Sequence, residues 1–201
     1  MYQYITIERQ YCSGGNEIGR RLAKALNYKL YDHNILVMAA KRLEVPHIYI
    51  SDLEETGPNS IIFNLSQTPF GGSSRTINNM PLVDRLFYEE KKIIEEVTAT
   101  DPCVIVGRCA GYILKDHPDC LKVFIHADTD FCIQRSIQDE KLTHEEAVEV
   151  LKKTDKRRSG FYTTHSGYKW GDSTHFDICL DSSSLGLDRC VSILADIVGI
   201  N

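Results

Sequence analysis

The alternation of short apolar runs with helical periods most restricts what this chain can fold into. Short apolar runs occur at Tyr4–Glu8, Tyr28–Tyr31, Cys103–Val106, Leu121–His126 and Phe176–Leu180, and each predicts a strand. Segments whose apolar residues follow helical spacing separate these runs. Such alternation from end to end predicts an α/β fold with a parallel, doubly wound sheet.

Capping residues predict where several helices begin and end. Asn27 can end the first helix, and Asp32 can begin the next one. Asp128 is predicted to cap the helix after the fourth strand. Thr143 and Glu146 have the spacing of a capping box in front of a helix rich in lysine and glutamate.

Length and local composition predict one domain with one irregular segment. A chain of 201 residues is long enough to bury a core in a single domain. Residues 57–81 are rich in glycine, proline, serine and asparagine and show weak periodicity. We therefore predict a mobile insertion over residues 57–81.

Charge and cysteine content exclude several classes of protein. The 23 basic and 28 acidic residues give a net charge of −5, which argues against a nucleic-acid partner. The sequence has neither an apolar run long enough to span a membrane nor the pattern of a signal peptide, so we expect no membrane partner. The seven cysteines include no C-x-x-C pair, which argues against a disulfide framework or a zinc site and favours a reducing cytoplasm.

A small-residue turn between the first strand and the first helix indicates phosphate binding. Glycines in such a turn let backbone N–H groups approach an anion closely, and the dipole of the following helix favours negative charge. Ser13, Gly14 and Gly15 supply the small residues, but the full pattern G-x-x-x-x-G-K-[ST] is absent. If Gly15 takes the second glycine, Asn16 occupies the lysine position. The alternative interpretation is a plain Gly-Gly turn.

Three further segments carry charge or aromatic groups suited to a nucleotide, and each has a purely structural alternative. Arg108 directly follows the apolar run Cys103–Val106, so its guanidinium can bind a phosphate or form a surface ion pair. The basic cluster from Lys152 to Arg158 suits a triphosphate or a solvated helix face. Trp170, the only tryptophan, lies in a predicted loop and can stack on a ligand or pack within the protein.

In their order along the chain, these segments resemble the cytidylate-kinase-like family of P-loop proteins, which is related to nucleoside monophosphate kinases. Four stretches carry the resemblance, namely Ile5–Arg9 with Ser13–Gly15, Val104–Leu114, Asp155–Arg158 and Lys169–Asp172. The resemblance implies a P-loop NTPase-type, three-layer α/β/α fold with helical lid and insertion segments. It implies one kinase-like domain over residues 1–201 with a lid at about residues 135–172.

The resemblance also implies roles for particular residues. The triphosphate loop would consist of Arg9, Cys12, Ser13, Gly14, Gly15, Asn16 and Glu17. Arg108, Arg135 and Arg158 would be catalytic. The acceptor would contact Asp32, His33, Arg108, Asp155 and Arg158.

The function implied is ATP-dependent phosphoryl transfer to a nucleoside monophosphate or a similar small acceptor, with ATP and Mg²⁺ as cofactors. Glu17 could hold Mg²⁺ through water or simply stabilise the helix N-terminus. Two rivals remain open. One is a nucleotide-binding sensor without catalysis, which Asn16 in place of a basic residue favours. The other is a different P-loop transferase, such as a sugar kinase or a sulfotransferase.

Overall fold

The computed structural model describes residues 2–45 and 80–199. These residues form a five-stranded parallel sheet with the strand order β2-β3-β1-β4-β5. The predicted insertion at 57–81 lies outside the described residues except for its last two positions. The strands are β1 (Tyr4–Arg9), β2 (Lys29–Tyr31), β3 (Cys103–Val106), β4 (Cys120–His126) and β5 (Ile178–Asp181).

Helices follow the strands in the order that the sequence predicts. The helices before β4 are α1 (Gly15–Leu26), α2 (His33–Arg42), α3 (Leu82–Thr98) and α4 (Ala110–Ile113). Those after β4 are α5 (Thr129–Glu140), α6 (His144–Ser166), α7 (Ser182–Leu185) and α8 (Leu187–Val198). A short 3₁₀ helix covers Ser173–His175. Within the described residues, no helix is both long enough and apolar enough to cross a membrane.

Each face of the sheet is covered by helices, which confirms the predicted three-layer α/β/α fold. On one face, Ile18 of α1 and Leu194 of α8 pack on Ile7 of β1. On the other face, Ile35 of α2 and Ile93 of α3 pack in a second core. The two cores meet the sheet from opposite sides because successive strand residues point to opposite faces.

The capping predictions are confirmed in three of four places. Asn27 ends α1 in the left-handed conformation, with φ at 54°. Asp32 caps α2 by accepting a hydrogen bond from the Asn34 N–H, and Thr143 forms the capping box with Glu146. The prediction for Asp128 is wrong, since it stands at the start of α5 without a side-chain cap.

The loop around Asp128 is instead held by other side chains. The Asp128 N–H donates to Ser183 Oγ at 3.0 Å, and the Ala127 N–H donates to Gln10 Oε1 at 3.0 Å. These contacts fix the entry into α5 from the β1 and β5 ends of the sheet, so the chain does not depend on a capping carboxylate there.

Most of the predicted lid segment, residues 135–172, is helical. The helix α6 runs for 23 residues and passes through Ser159 and Gly160 without a break. Trp170 lies beyond it in a turn and packs edge-on against Phe124, with ring centroids 5.5 Å apart. Trp170 therefore packs within the protein, as its structural interpretation predicts.

Candidate functional site

The turn from β1 to α1 is the first of two turns that define the site. Gly14 ends it in the left-handed region, with φ at 82°, directly before α1 begins. Gly14 thus points the first N–H groups of α1 out of the turn, which is the geometry that binds anions. The Ser13 hydroxyl donates to the Gln10 carbonyl at 2.9 Å, and Ser182 donates to the Ser13 carbonyl at 2.5 Å. Contacts within the turn and from α7 therefore fix its backbone.

The helix α6 holds the same turn from another side. The Tyr11 N–H donates to Asp155 Oδ1 at 2.7 Å, and Arg158 Nη1 donates to the Arg9 carbonyl at 3.2 Å. The D-x-x-R spacing places both side chains on one helical face. Burial raises the pKa of Asp155 and lowers the pKa of Arg158, while the opposite charge of each partner counteracts both shifts.

The turn after β3 is the second turn of the site. Gly107, Arg108 and Cys109 are consecutive left-handed residues, with φ at 78°, 59° and 53°. Non-glycine residues rarely adopt this conformation, and where they do they often mark functional sites. Arg108 Nη1 lies 3.3 Å from Glu90 Oε1, and the Glu90 side chain is only 2% exposed. Arg108 therefore forms an ion pair, but with a buried partner rather than at the surface, and its contact with a phosphate stays a prediction.

One cavity of about 640 Å³ is lined by Arg9, Tyr11 and Asn16 at the first turn and by Arg108 at the second. The predicted site residues that line it are Arg9, Asn16, Asp32, His33, Arg108 and Arg158. From the basic cluster, Lys153 and Arg157 also line the cavity, whereas Lys152 and Lys156 are exposed to solvent. The parallel sheet explains why these residues lie together, because β1, β2 and β3 all end at the same edge.

One wall of the cavity is apolar and partly aromatic. Phe87 of α3 and Phe161 of α6 both line it, with ring centroids 5.7 Å apart. His165 stacks on Phe87 at 3.8 Å, and burial lowers the pKa of His165, which favours its neutral form. A ligand that combines phosphate groups with a planar apolar part would find a complementary surface for each.

Seven predicted site residues, which form the turn or lie beside it, do not line the cavity, namely Cys12, Ser13, Gly14, Gly15, Glu17, Arg135 and Asp155. Arg135 Nη2 lies 3.1 Å from Glu17 Oε2 and 3.3 Å from Asp139 Oδ2. Asp155 is bound to the turn backbone, as described above, and Cys12 is a half-buried thiol whose pKa is raised by burial. These residues support the turn, and their predicted contacts with a nucleotide stay predictions.

Two buried acids of the cavity, Glu8 and Glu90, are not predicted from the sequence. Glu8 is the last residue but one of the central strand β1, lines the cavity and is 6% exposed. Burial raises the pKa of Glu8, whereas Arg9, Arg158 and the Cys109 N–H favour the carboxylate. Glu90 lies at helical spacing from the buried residues Leu86 and Ile93. An acid at a core position of an amphipathic helix is the signal that could have identified Glu90.

The donor groups in the described residues fit a magnesium ion that arrives with phosphates, not a site made by the protein alone. No group of three or more His, Cys, Asp or Glu in residues 2–45 and 80–199 could hold a metal ion. Magnesium in nucleotide sites commonly takes one or two carboxylates and completes its shell with phosphates and water. The carboxylates that line the cavity are Glu8, Asp32, Glu90 and Glu140, and Glu17 lies in the first turn of α1.

Comparisons with known proteins agree with this architecture. A family model described as the cytidylate kinase-like family matches residues 4–184. An uncharacterized protein from Eubacterium ventriosum has a TM-score of 0.69 at 23% identity, covering 98% of this chain and 99% of that one. The search of curated proteins found no match.

Two shikimate kinases are also similar in structure. The enzyme from Bacteroides thetaiotaomicron has a TM-score of 0.53 at 12% identity, with 98% of each chain covered. The enzyme from Acinetobacter baumannii, solved with shikimate, has a TM-score of 0.53 at 15% identity, covering 98% of this chain and 94% of that one. At these identities the likeness is one of fold, and the fold is that of P-loop kinases.

Proposed function

Because the chain belongs to the cytidylate kinase-like family, we propose that it is an ATP-dependent phosphotransferase whose acceptor is a nucleoside monophosphate or a close analogue. The observation that carries this proposal is that Arg9 and Asn16 at the first turn and Arg108 at the second line one cavity. A phosphoryl transfer enzyme needs a donor cradle and an acceptor grip within reach of each other, because positioning and charge stabilisation supply most of its catalysis.

The turn ending at Gly14 and Gly15 is the proposed donor cradle. Its backbone N–H groups and the N-terminus of the 12-residue helix α1 favour the charge of a triphosphate. When Mg²⁺ is bound with the nucleotide, it neutralises charge between the donor phosphates. Glu8, and Glu17 through water, are the residues that would hold it.

Arg108 is the proposed grip for the acceptor phosphate. An oxygen of that phosphate attacks the γ-phosphorus, the bond from the γ-phosphorus to the β–γ bridging oxygen breaks, and ADP leaves with the electron pair. An acceptor phosphate is largely ionised near neutral pH, so the step needs no base to remove a proton. Arg158, with Lys153 and Arg157 of α6, supplies positive charge around the transferred group.

The apolar wall favours a nucleotide over a small sugar-like acceptor. Phe87 and Phe161 offer aromatic surface where a base could stack. Asp32 and His33 at the end of β2 lie on the same cavity and would contact the nucleoside part. Arg135 and Asp155 would act on the nucleotide through the turn that they support.

All seven cysteines have free thiols, which supports the reducing cytoplasm as the compartment.

A nucleotide-binding sensor is the second candidate. The observation that favours it is the absence of lysine from positions 15 and 16 of the turn. A sensor would bind ATP without transferring its phosphate.

Replacing Arg108 with lysine tests the proposed acceptor grip. Lysine keeps the charge but loses the bidentate fork, so the acceptor affinity should fall by about 1.5–3 kcal/mol. The affinity for ATP should stay the same. Calorimetric titration with ATP and with a panel of nucleoside monophosphates measures both affinities, and a coupled assay measures phosphoryl transfer.

Arg42→Lys is the matched control, because Arg42 pairs with Glu96 on the surface away from the cavity. Unchanged acceptor affinity in Arg108→Lys would refute the assignment of Arg108. If the wild-type protein binds ATP but transfers phosphate to no nucleoside monophosphate, the sensor is the better description.

A further inference from the structure

We propose that Arg9 supplies to the phosphate-binding turn the positive charge that a lysine supplies in the common P-loop pattern. Relative to that pattern, this chain has arginine at residue 9 in place of glycine, and glycine at residue 15 in place of lysine. The ligand group that Arg9 would contact is the outer part of a bound triphosphate. This inference rests on the proposed function, and its test separates the two.

The first observation is the register of the turn. Gly14, with φ at 82°, directly precedes α1, as the last glycine of the pattern G-x-x-x-x-G-K precedes its helix. Counted from Gly14, the first glycine of the pattern falls on residue 9 and the lysine on residue 15. The chain has arginine and glycine at these two positions, which is the reverse assignment.

The second observation is that the two exchanged positions touch. A Cβ on Gly15 would overlap Arg9 Cβ and lie 2.8 Å from Arg9 Cγ. Atoms this close to the backbone cannot move aside without shifting β1 or α1. The stem of Arg9 therefore occupies the space that a side chain at residue 15 would need.

The third observation is where the guanidinium of Arg9 ends. A Cβ on Gly107 would overlap Arg9 Nη1 and lie 3.2 Å from Arg9 Cζ. Arg9 Nε donates to Asn16 Oδ1 at 2.8 Å. The guanidinium thus reaches from the donor turn to the turn that carries Arg108, with Asn16 orienting its plane, and it lines the shared cavity.

The chemistry of arginine suits this position. A guanidinium stays charged at every physiological pH and presents N–H donors in a planar fork that matches phosphate oxygens. A lysine contributes a single ammonium on a flexible stem. The exchange therefore keeps a positive charge in the donor turn. The orientation of the guanidinium that carries this charge depends on residues 16 and 107.

A double-mutant cycle between positions 9 and 15 tests the inference. The four proteins are the wild type, Arg9→Gly, Gly15→Lys and the double variant Arg9→Gly/Gly15→Lys. Calorimetry measures the affinity of each for Mg²⁺–ATP and for inorganic tripolyphosphate, which reports phosphate binding without a base.

We expect Gly15→Lys to have opposite effects in the two backgrounds. Arg9→Gly should weaken binding by about 10- to 100-fold, because charged hydrogen bonds to phosphate are lost. Gly15→Lys alone should also weaken binding, because its side chain overlaps Arg9. In the Arg9→Gly background the same lysine should strengthen binding, because the space is empty and the common pattern is restored.

Two further variants keep the test decisive. Arg9→Gln keeps the Cβ and Cγ that crowd residue 15 and removes the charge, so it tests the charge of Arg9 by itself if thermal denaturation shows that Arg9→Gly is unfolded. Arg42→Gln removes an arginine paired on the surface and should bind both ligands as the wild type does.

The outcomes distinguish the inference from the proposed function. If the wild type binds neither ligand, the proposed function fails and the inference with it. If the wild type binds but Arg9→Gln binds equally well, the proposed function stands and Arg9 is not the charge of the turn. If Gly15→Lys recovers no affinity in a folded Arg9→Gly background, the exchange of the two positions is refuted.

Discussion

The two turns beside the cavity differ in backbone conformation and in the parts of the chain that hold them in place. The turn after β1 receives bonds from residues far along the sequence, among them Asp155, Arg158 and Ser182. The turn after β3 requires three left-handed residues in a row, and it is also bound to β1 through the Gly107 N–H, which donates to the Ile7 carbonyl at 2.9 Å. A local bond closes it, from the Ala110 N–H to the Gly107 carbonyl at 3.1 Å.

This difference teaches where each turn is vulnerable. The first turn distributes its stability over α6 and α7, so loss of one bond leaves several others. The second turn requires a positive φ at three consecutive residues, of which only Gly107 adopts this conformation without cost. Substitutions should therefore separate a turn fixed by distant contacts from one fixed by local backbone conformation.

The largest expected effect comes from Gly107→Ala. Left-handed alanine costs about 1–2 kcal/mol, and the new methyl displaces the end of the flexible Arg9 side chain from its bond to Asn16, which adds about 0.5–1.5 kcal/mol. We expect the free energy of unfolding, measured with urea, to fall by the sum of these costs.

Gly160→Ala is the matched control for that substitution. Gly160 lies inside α6 with nothing within 4 Å of a new Cβ. Alanine there should stabilise the protein by about 0.5–1 kcal/mol. Equal effects of the two substitutions would mean that the second turn does not depend on its backbone conformation.

Asp155→Ala should have a smaller effect on the first turn. The Tyr11 N–H would lose its partner, at a cost of about 1–3 kcal/mol in the free energy of unfolding. Asp155→Asn keeps an acceptor oxygen and should cost less. Glu149→Ala removes an exposed carboxylate from the same helix and should leave stability nearly unchanged. A loss in Glu149→Ala as large as in Asp155→Ala would show that helix α6, not the bond to the turn, is affected.

Glu8 links the two turns, and its effect should appear as a pH dependence. Because burial raises the pKa of Glu8 above its ordinary value of 4.5, the folded state binds this proton more tightly than the unfolded state. The stability that this group contributes is complete below pH 4.5 and is lost as pH rises through the raised value.

Glu8→Gln should therefore flatten the fall of stability with pH above 4.5. One group changes that slope by at most about 1.4 kcal/mol per pH unit. Urea unfolding of wild type and Glu8→Gln between acid and neutral pH measures the slope. Parallel curves for the two proteins would show that Glu8 titrates as an exposed acid.

The sequence predicts the sheet better than it predicts the site. Apolar runs place β1, β3 and β4 within a residue of their observed bounds. These signals lie within short stretches of sequence, so the spacing of neighbouring residues is enough to predict the elements. The contact between β1 and β3 follows from one more rule, that buried parallel strands lie at the centre of the sheet.

The site depends on contacts that the spacing of residues does not contain. Asp155 matches a family motif, but its bond to the Tyr11 N–H spans 144 positions. The sequence predicts that Arg108 binds a phosphate or forms a surface ion pair, whereas its partner Glu90 is a buried residue of α3. Tertiary packing brings these groups together, so their pairing could be found only in the folded chain.

The contact between Arg9 and Gly15 also has a consequence over evolutionary time. A chain with long side chains at both positions is crowded, and a chain with glycine at both lacks a guanidinium in that place. Substitution of one residue at a time therefore passes through a less fit intermediate in either direction. The two positions should be inherited as a pair, and descendants should change both or neither.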